Sequence, residues 1–173
     1  MIFTEVKALV AYRLHTPKWA MSPTSGAGAA AHGGRLNRVG LAALYLALDT
    51  HTAIAEYQQV SSLLPPGTLV TYEVSLKRVL DFRAGFDPTL WPAIWDDFYC
   101  DWRSAWFNQR QEPPSWQLAD LTIAAGAQGI LFQSSLVSGG VNLVVYPHTL
   151  SMPEALKVFD PSHVLPKNQK SWQ

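Results

Sequence analysis

The chain has 173 residues, enough for one domain with a sizeable core, and 48% of them are hydrophobic while only 15% are charged. Thirteen basic and thirteen acidic side chains cancel, so the electrostatic footprint of a nucleic-acid binder is missing. A single cysteine, Cys100, rules out an intrachain disulfide framework and fits a reducing compartment. The opening MIFTEVKALVAYRL interleaves acid and base, unlike a signal peptide. No apolar run nears the ~20 residues that span a bilayer. A cytoplasmic protein without direct membrane contact is the expectation.

The elements follow from hydrophobic period. Val6–Leu14 alternates as a strand, with Val6, Ala8, Val10, Tyr12 and Leu14 on one face and Arg13 on the other, near the strand's end. Residues 16–40, with Pro17, Pro23 and Ser25-Gly26-Ala27-Gly28-Ala29, read as an irregular loop. Leu41–Leu48 is apolar throughout, which suits a buried strand while also admitting a helix. Asp49 or Thr50 can cap a helix to about Leu64, ended by Pro65-Pro66-Gly67. Its apolar arc is Ala53, Ile54, Tyr57, Val60 and Leu64, and Glu56 lies on the flank of that arc. Leu69–Leu76 alternates as a strand with Val70, Tyr72, Val74 and Leu76 inward.

Trp91–Arg110 carries Trp91, Trp95, Phe98, Trp102 and Trp106 at spacings of three and four, predicting an aromatic-rich helix stopped by Glu112-Pro113-Pro114. A second helix is expected from Trp116 to about Ala125. Strands follow at Gly129–Phe132 and Val141–Tyr146, joined through Gly139-Gly140. Beyond Pro147 the tail is polar, with Pro153, Pro161 and Pro166, and its last residues are expected to fray. Strands, then helices, then strands define an α+β fold with a mixed or antiparallel sheet in one domain, 1–173.

The chemistry gathers around Gly33-Gly34-Arg35-Leu36-Asn37, then Tyr45 and Glu56. Arginine can clamp a phosphate with two parallel hydrogen bonds. Tyrosine stacks on a flat ring while its hydroxyl bonds at the edge. A glutamate can stabilise developing positive charge or activate a hydroxyl. Together they suit cleavage of a bond between a sugar and a cationic leaving group in a phosphate-bearing nucleotide. Each residue also has a plainer reading: Arg35 in a surface turn, Asn37 fixing its own loop, Tyr45 in the core, Glu56 on a solvated helix face. His15, His32, His51, His148 and His163 show no metal-ligand spacing, and no metal is expected. No G-x-S-x-G elbow or Walker loop occurs.

The order Arg13, Gly33-Gly34-Arg35-x-Asn37, Tyr45, Ala55-Glu56, Ser134 and Asn142 resembles the RES domain, from about Tyr12 to Pro147, leaving 148–173 as a C-terminal extension. Leu36 stands where an aromatic is common in that family, and Gln133 where proline is common. The resemblance implies a split β-core like that of ADP-ribosyltransferases, with surrounding helices. It implies the toxin of a RES–Xre toxin–antitoxin pair that consumes NAD⁺ by cleaving the nicotinamide–ribose bond, with water, phosphate or a protein side chain as acceptor. Arg13 and Arg35 would hold phosphates and ribose, with orientation of Glu56 as the alternative for Arg35; Tyr45 would stack on nicotinamide, and Glu56, with Arg35 and Tyr45, would form the catalytic set. Asn37, Ser134 (with Ser135 as alternate) and Asn142 would assist binding. The implied partner is an Xre-type helix-turn-helix antitoxin, with room for two toxin copies in the complex. The rival expectation is a non-catalytic binding module of the same fold. The tryptophans read first as core and second as an interface.

Overall fold

The computed structural model describes residues 1–59, 61–151 and 155–170, so Val60, Pro153 and the expected fraying at 171–173 lie outside the described residues. The chain folds as α+β around six strands: β1 (Phe3–His15), β2 (Leu44–Ala47), β3 (Thr68–Phe82), β4 (Gly129–Gln133), β5 (Val141–Val145) and β6 (Leu156–Val158). The sheet runs β1-β2-β5-β4-β3-β6, and β1 also pairs with β3, so five strands close on themselves. Only β3–β4 is parallel, which makes the sheet mixed. The closure is narrow. β1 and β3 pair from Phe3–Leu80 to His15–Thr68, whereas β1 meets β2 at one pair, Tyr12–Ala47.

The alternation expected in β3 is realised: Val70, Tyr72, Val74 and Leu76 are all buried. That of β1 is not. Ala8 sits at φ 47°, and the β1–β3 register shifts between Val6 and Leu9. This bulge inserts one residue and inverts the inward face beyond it. Val6, Leu9 and Ala11 therefore meet the core, while Val10 stays 48% exposed. Arg13 is carried inward with Leu9 and Ala11 instead of lying opposite the core.

Residues 16–40 are more ordered than a plain loop, holding a helix α1 (Ala27–His32). Helix α2 (Thr50–Gln58) is capped by Asp49, whose carboxylate accepts from the Thr52 amide and hydroxyl, both at 2.7 Å. It ends at Gln59, at φ 56°, well before Pro65, so Leu64 is a half-exposed loop residue rather than part of an apolar arc. The tail beyond Pro147 is not merely polar. It contributes β6, which pairs Tyr72, Glu73 and Val74 of β3 with Val158, Lys157 and Leu156.

The long aromatic helix does not form. Residues Ala93–Tyr99 make a 3₁₀ segment and Ser104–Asn108 a π-type turn, separated by Cys100 in an extended conformation (φ −52°, ψ 154°). Pro92 disfavours α geometry at Trp91. Packing decides the rest. Phe82 stacks on Phe98 at 4.3 Å and meets Trp91 edge-on at 4.9 Å, with Trp91 and Trp95 4.7 Å apart. Aromatic residues lose at most about 0.7 kcal/mol each in helix propensity against alanine. Burying one such ring gives on the order of several kcal/mol. The cluster therefore wins over the 3.6 period.

Helix α3 (Pro114–Ala124), opened by proline at its first position, packs Leu118 and Ala119 on the same cluster. The core has two parts. Leu131, Leu143 and Val145 face one, with Val70, Tyr72 and Val74. Ile130, Phe132 and Val144 face the other, with the aromatic cluster. β4 and β5 are thus covered on both faces, which explains the apolar runs Ile130–Phe132 and Leu143–Val145 within them. No helix among the described residues is long and apolar enough to cross a membrane.

His15 ends β1 nearly buried, its Nε2 2.6 Å from the Tyr72 hydroxyl, which donates to the Pro23 carbonyl at 2.7 Å. Burial, and secondarily the charge of Arg13, lowers its pKa to about 4. The unfolded chain takes up this proton near pH 6.5 and the folded chain only near pH 4. The folded state is therefore favoured fully above pH 6.5 and loses up to about 3 kcal/mol as pH falls to 4. Denaturant titrations of His15→Gln should show a visibly flatter stability profile between pH 7 and 4 than the parent. Equal slopes would mean other groups carry the acid sensitivity.

Candidate functional site

The Gly33–Asn37 turn is fixed by side chains that reach its backbone. Trp116 Nε1 donates to the Gly34 carbonyl at 2.7 Å, the Ser115 hydroxyl to that of Arg35 at 2.6 Å, and the Tyr146 hydroxyl to that of Leu36 at 3.0 Å. The Leu36 amide donates to the Tyr45 hydroxyl at 2.9 Å, and that hydroxyl donates to Asn37 Oδ1 at 2.8 Å. Burial pushes the Tyr45 hydroxyl above its ordinary range, so it remains a proton donor. Asn37 is fully buried, and its Nδ2 serves the carbonyls of Ala29, Arg38 and Leu41. Both glycines are required here. Gly33 has φ 77°, and a Cβ on Gly34 would lie 2.5 Å from Asn37 Oδ1 and 2.6 Å from the Tyr45 hydroxyl. Leu36 is fully buried against the aromatic cluster.

Beside this turn opens a cleft of about 500 Å³. Arg13, Arg35, Tyr45, Glu56 and Asn142 all line it, as does Ser135. Glu56 lies in the last turn of α2, and its Oε1 accepts from Ser134 Oγ at 2.8 Å and Asn142 Nδ2 at 2.6 Å. Ser134 Oγ also accepts from the amides of Leu136 and Val137, at 3.1 and 3.2 Å. Its hydroxyl is thereby committed to Glu56, and it is Ser135 that reaches the cleft wall. Among the described residues, no group donates to Glu56 Oε2.

Arg13 Nη1 donates to the Tyr45 carbonyl at 2.6 Å, bridging β1 to β2 where the two strands part. Burial lowers its pKa, and its Nε is buried without a partner among the described residues. Arg35 Nη1 donates to the carbonyls of Phe98 and Cys100, at 3.3 and 3.1 Å, and its guanidinium lies 5.7 Å from the Tyr99 ring centre. Neither arginine has an ion-pair partner among the described residues, whereas Arg38 pairs with Glu112 and Asp120 and Arg83 with Asp81.

The structure thus brings together six of the seven residues singled out from sequence: five line the cleft, and Ser134 joins it through Glu56. Asn37 does not line the cleft and touches the set only through its Oδ1, which accepts from the Tyr45 hydroxyl, its amide NH₂ being spent inside the turn. Sequence reasoning missed the rim formed by Gln59, Asp101, Trp102 and Arg103. Treating 91–110 as one helix placed Trp102 in an apolar stripe, and only the break at Cys100 turns this segment toward the cleft. No signal in the sequence marks that break beyond Pro92.

Fold and site together define an α+β domain in which arginines without an ion-pair partner among the described residues surround a tethered glutamate. The RES domain family model matches residues 10–166, and the chain belongs to that family. The match extends past Pro147 and includes β6. The fold is similar to that of a chain in the crystal structure of the M. tuberculosis MbcT–MbcA toxin–antitoxin complex. The TM-score is 0.66, with 23% identity over 90% of this chain and 84% of that one. No curated protein matches the chain.

Tyr45→Phe keeps the ring and removes the hydroxyl, leaving the Leu36 amide and Asn37 Oδ1 without their partner. Thermal or denaturant unfolding should register a loss of about 1–3 kcal/mol. An unchanged midpoint would show that the turn does not depend on this hydroxyl.

Proposed function

We propose that this protein is the toxin of a toxin–antitoxin pair and consumes NAD⁺ by breaking the nicotinamide–ribose bond. The observation that carries this reading is Glu56, held by Ser134 and Asn142 through one oxygen, the other without a donor among the described residues, in a cleft whose arginines have no carboxylate partner among those residues. Membership of the RES family and likeness to a chain of a toxin–antitoxin complex support it.

The chemistry asks little proton transfer of the protein. An ordinary glycosidase needs two carboxylates because the leaving oxygen must be protonated. The nicotinamide of NAD⁺ already carries the positive charge. When the C1′–N bond breaks, its electron pair returns to the ring nitrogen, nicotinamide leaves neutral, and the positive charge passes to the ribose. Glu56 Oε2 would stabilise that charge or take a proton from the incoming hydroxyl. Ser134 and Asn142 hold the carboxylate in place through Oε1. Arg35 and Arg13 would bind phosphate and ribose oxygens, the unpartnered Nε of Arg13 being one available donor. The Tyr45 ring would stack on nicotinamide, a role compatible with its hydroxyl bonds to the turn. The acceptor would be water, inorganic phosphate or a protein side chain. An Xre-type antitoxin would shield this cleft in the cytoplasm.

Purified protein incubated with NAD⁺ should release free nicotinamide. Glu56→Gln preserves shape and removes the charge, and it should lower that release at least a hundredfold and abolish growth inhibition, with folding intact. A Glu56→Gln protein as active as its parent would sink the assignment. Arg35→Lys retains charge but loses the fork, and calorimetry should show about tenfold weaker NAD⁺ binding at unchanged thermal stability. Unaltered affinity would return Arg35 to a structural role.

A further inference from the structure

A third arginine faces the same cleft. Arg103 lines its rim, and its guanidinium lies 4.8 Å from the Trp102 ring centre. Its Nη2 donates to Gln59 Oε1 at 3.0 Å, and Gln59 Nε2 donates in turn to the backbone carbonyl of Glu56. Arg103 thus spans the cleft mouth, from the Cys100 break to the end of the helix that carries Glu56. Its hydrogen-bond partner is a neutral amide, and no carboxylate lies within 4.0 Å among the described residues. The nearby Asp101 carboxylate is engaged elsewhere, with Oδ1 accepting from the Ser104 amide at 3.0 Å.

Building on the reading of the cleft as a dinucleotide site, we propose that Arg103 is a substrate-binding residue that takes a phosphate oxygen at the cleft mouth. Gln59 holds it there until substrate arrives. On binding, the guanidinium exchanges a neutral acceptor for an anionic one. The Gln59 bond has charge on the donor alone; a phosphate oxygen adds the opposite charge on the acceptor, and the planar fork can make two such bonds at once. The exchange needs no large motion, because Arg103 is already over Trp102 and on the cleft wall. Arg13 and Arg35 are tied to backbone carbonyls deeper in the site. Arg103 is the exposed one of the three, suited to the diphosphate on the side of the substrate away from the bond that breaks.

Calorimetry of the full chain with ADP and with adenosine tests this. Arg103→Met keeps an unbranched stem over Trp102 and removes the charge. ADP affinity should fall about tenfold, while adenosine affinity stays unchanged. Gln59→Ala removes the resting partner only, so ADP affinity should hold or improve. Unchanged ADP affinity in Arg103→Met overturns the proposal. An equal loss for adenosine also overturns it, since the contact would then be with the base. A loss in Gln59→Ala as large as in Arg103→Met would make the Arg103–Gln59 contact structural and overturn it too. Parent protein that fails to bind ADP likewise refutes it. Nicotinamide release from NAD⁺ by the parent reports separately on the proposed reaction, so that reading can stand while Arg103 fails.

Discussion

Three consecutive backbone carbonyls, those of Gly34, Arg35 and Leu36, are each taken by a side chain from elsewhere in the fold. A glycine-rich turn is ordinarily among the softest parts of a protein, because glycine has the most backbone freedom to lose. Here that freedom is removed by Trp116 and Ser115 of α3, Tyr146 after β5, and Tyr45 of β2. The donors are rigid or buried, and each would leave a desolvated carbonyl unmet if it moved. Arg35 is therefore held by the peptide groups on which it stands. The apolar elements around it serve as much to aim donors as to exclude water.

The closed sheet supplies the second constraint. β1 and β3 run together over nearly the whole length of β1, but β1 and β2 touch at a single pair before diverging. The divergence leaves the cleft, and Arg13 spans it. The bulge at Ala8 sets the phase that makes this possible. Without it, the face carrying Arg13 would point away from the core, and the guanidinium would sit in solvent.

Much of the architecture was legible in the sequence wherever local pattern and final packing agree. β3, α3, β4 and β5 follow their periodicities, because one face, or in β4 and β5 both faces, is buried. The failures share a physical cause. A bulge of one residue leaves no mark in a run such as Val6–Leu14. A three-residue strand like β6 has too few positions to show a period. The aromatic stretch has a genuine 3.6 spacing, yet ring packing against Phe82 outweighs it. At the site, Arg35 and Glu56 stood out by residue type and family pattern. Spacing could not show that Ser134 and Asn142, 78 and 86 residues from Glu56, would close on one of its oxygens. Nor could it show Arg103, whose position depends on a break in an expected helix.

The placement of Glu56 in the final turn of α2 sets the backbone against the side chain. The peptide dipoles of a helix sum to a partial negative charge at its C-terminal end, where a carboxylate is disfavoured by about 0.3–1 kcal/mol. Ser134 and Asn142 offset that penalty with two donors on Oε1. The fold therefore keeps an anion against its own field, in a spot where a neutral residue would sit more comfortably. Stability and a fixed negative charge pull in opposite directions at this one position, as they do at active sites generally.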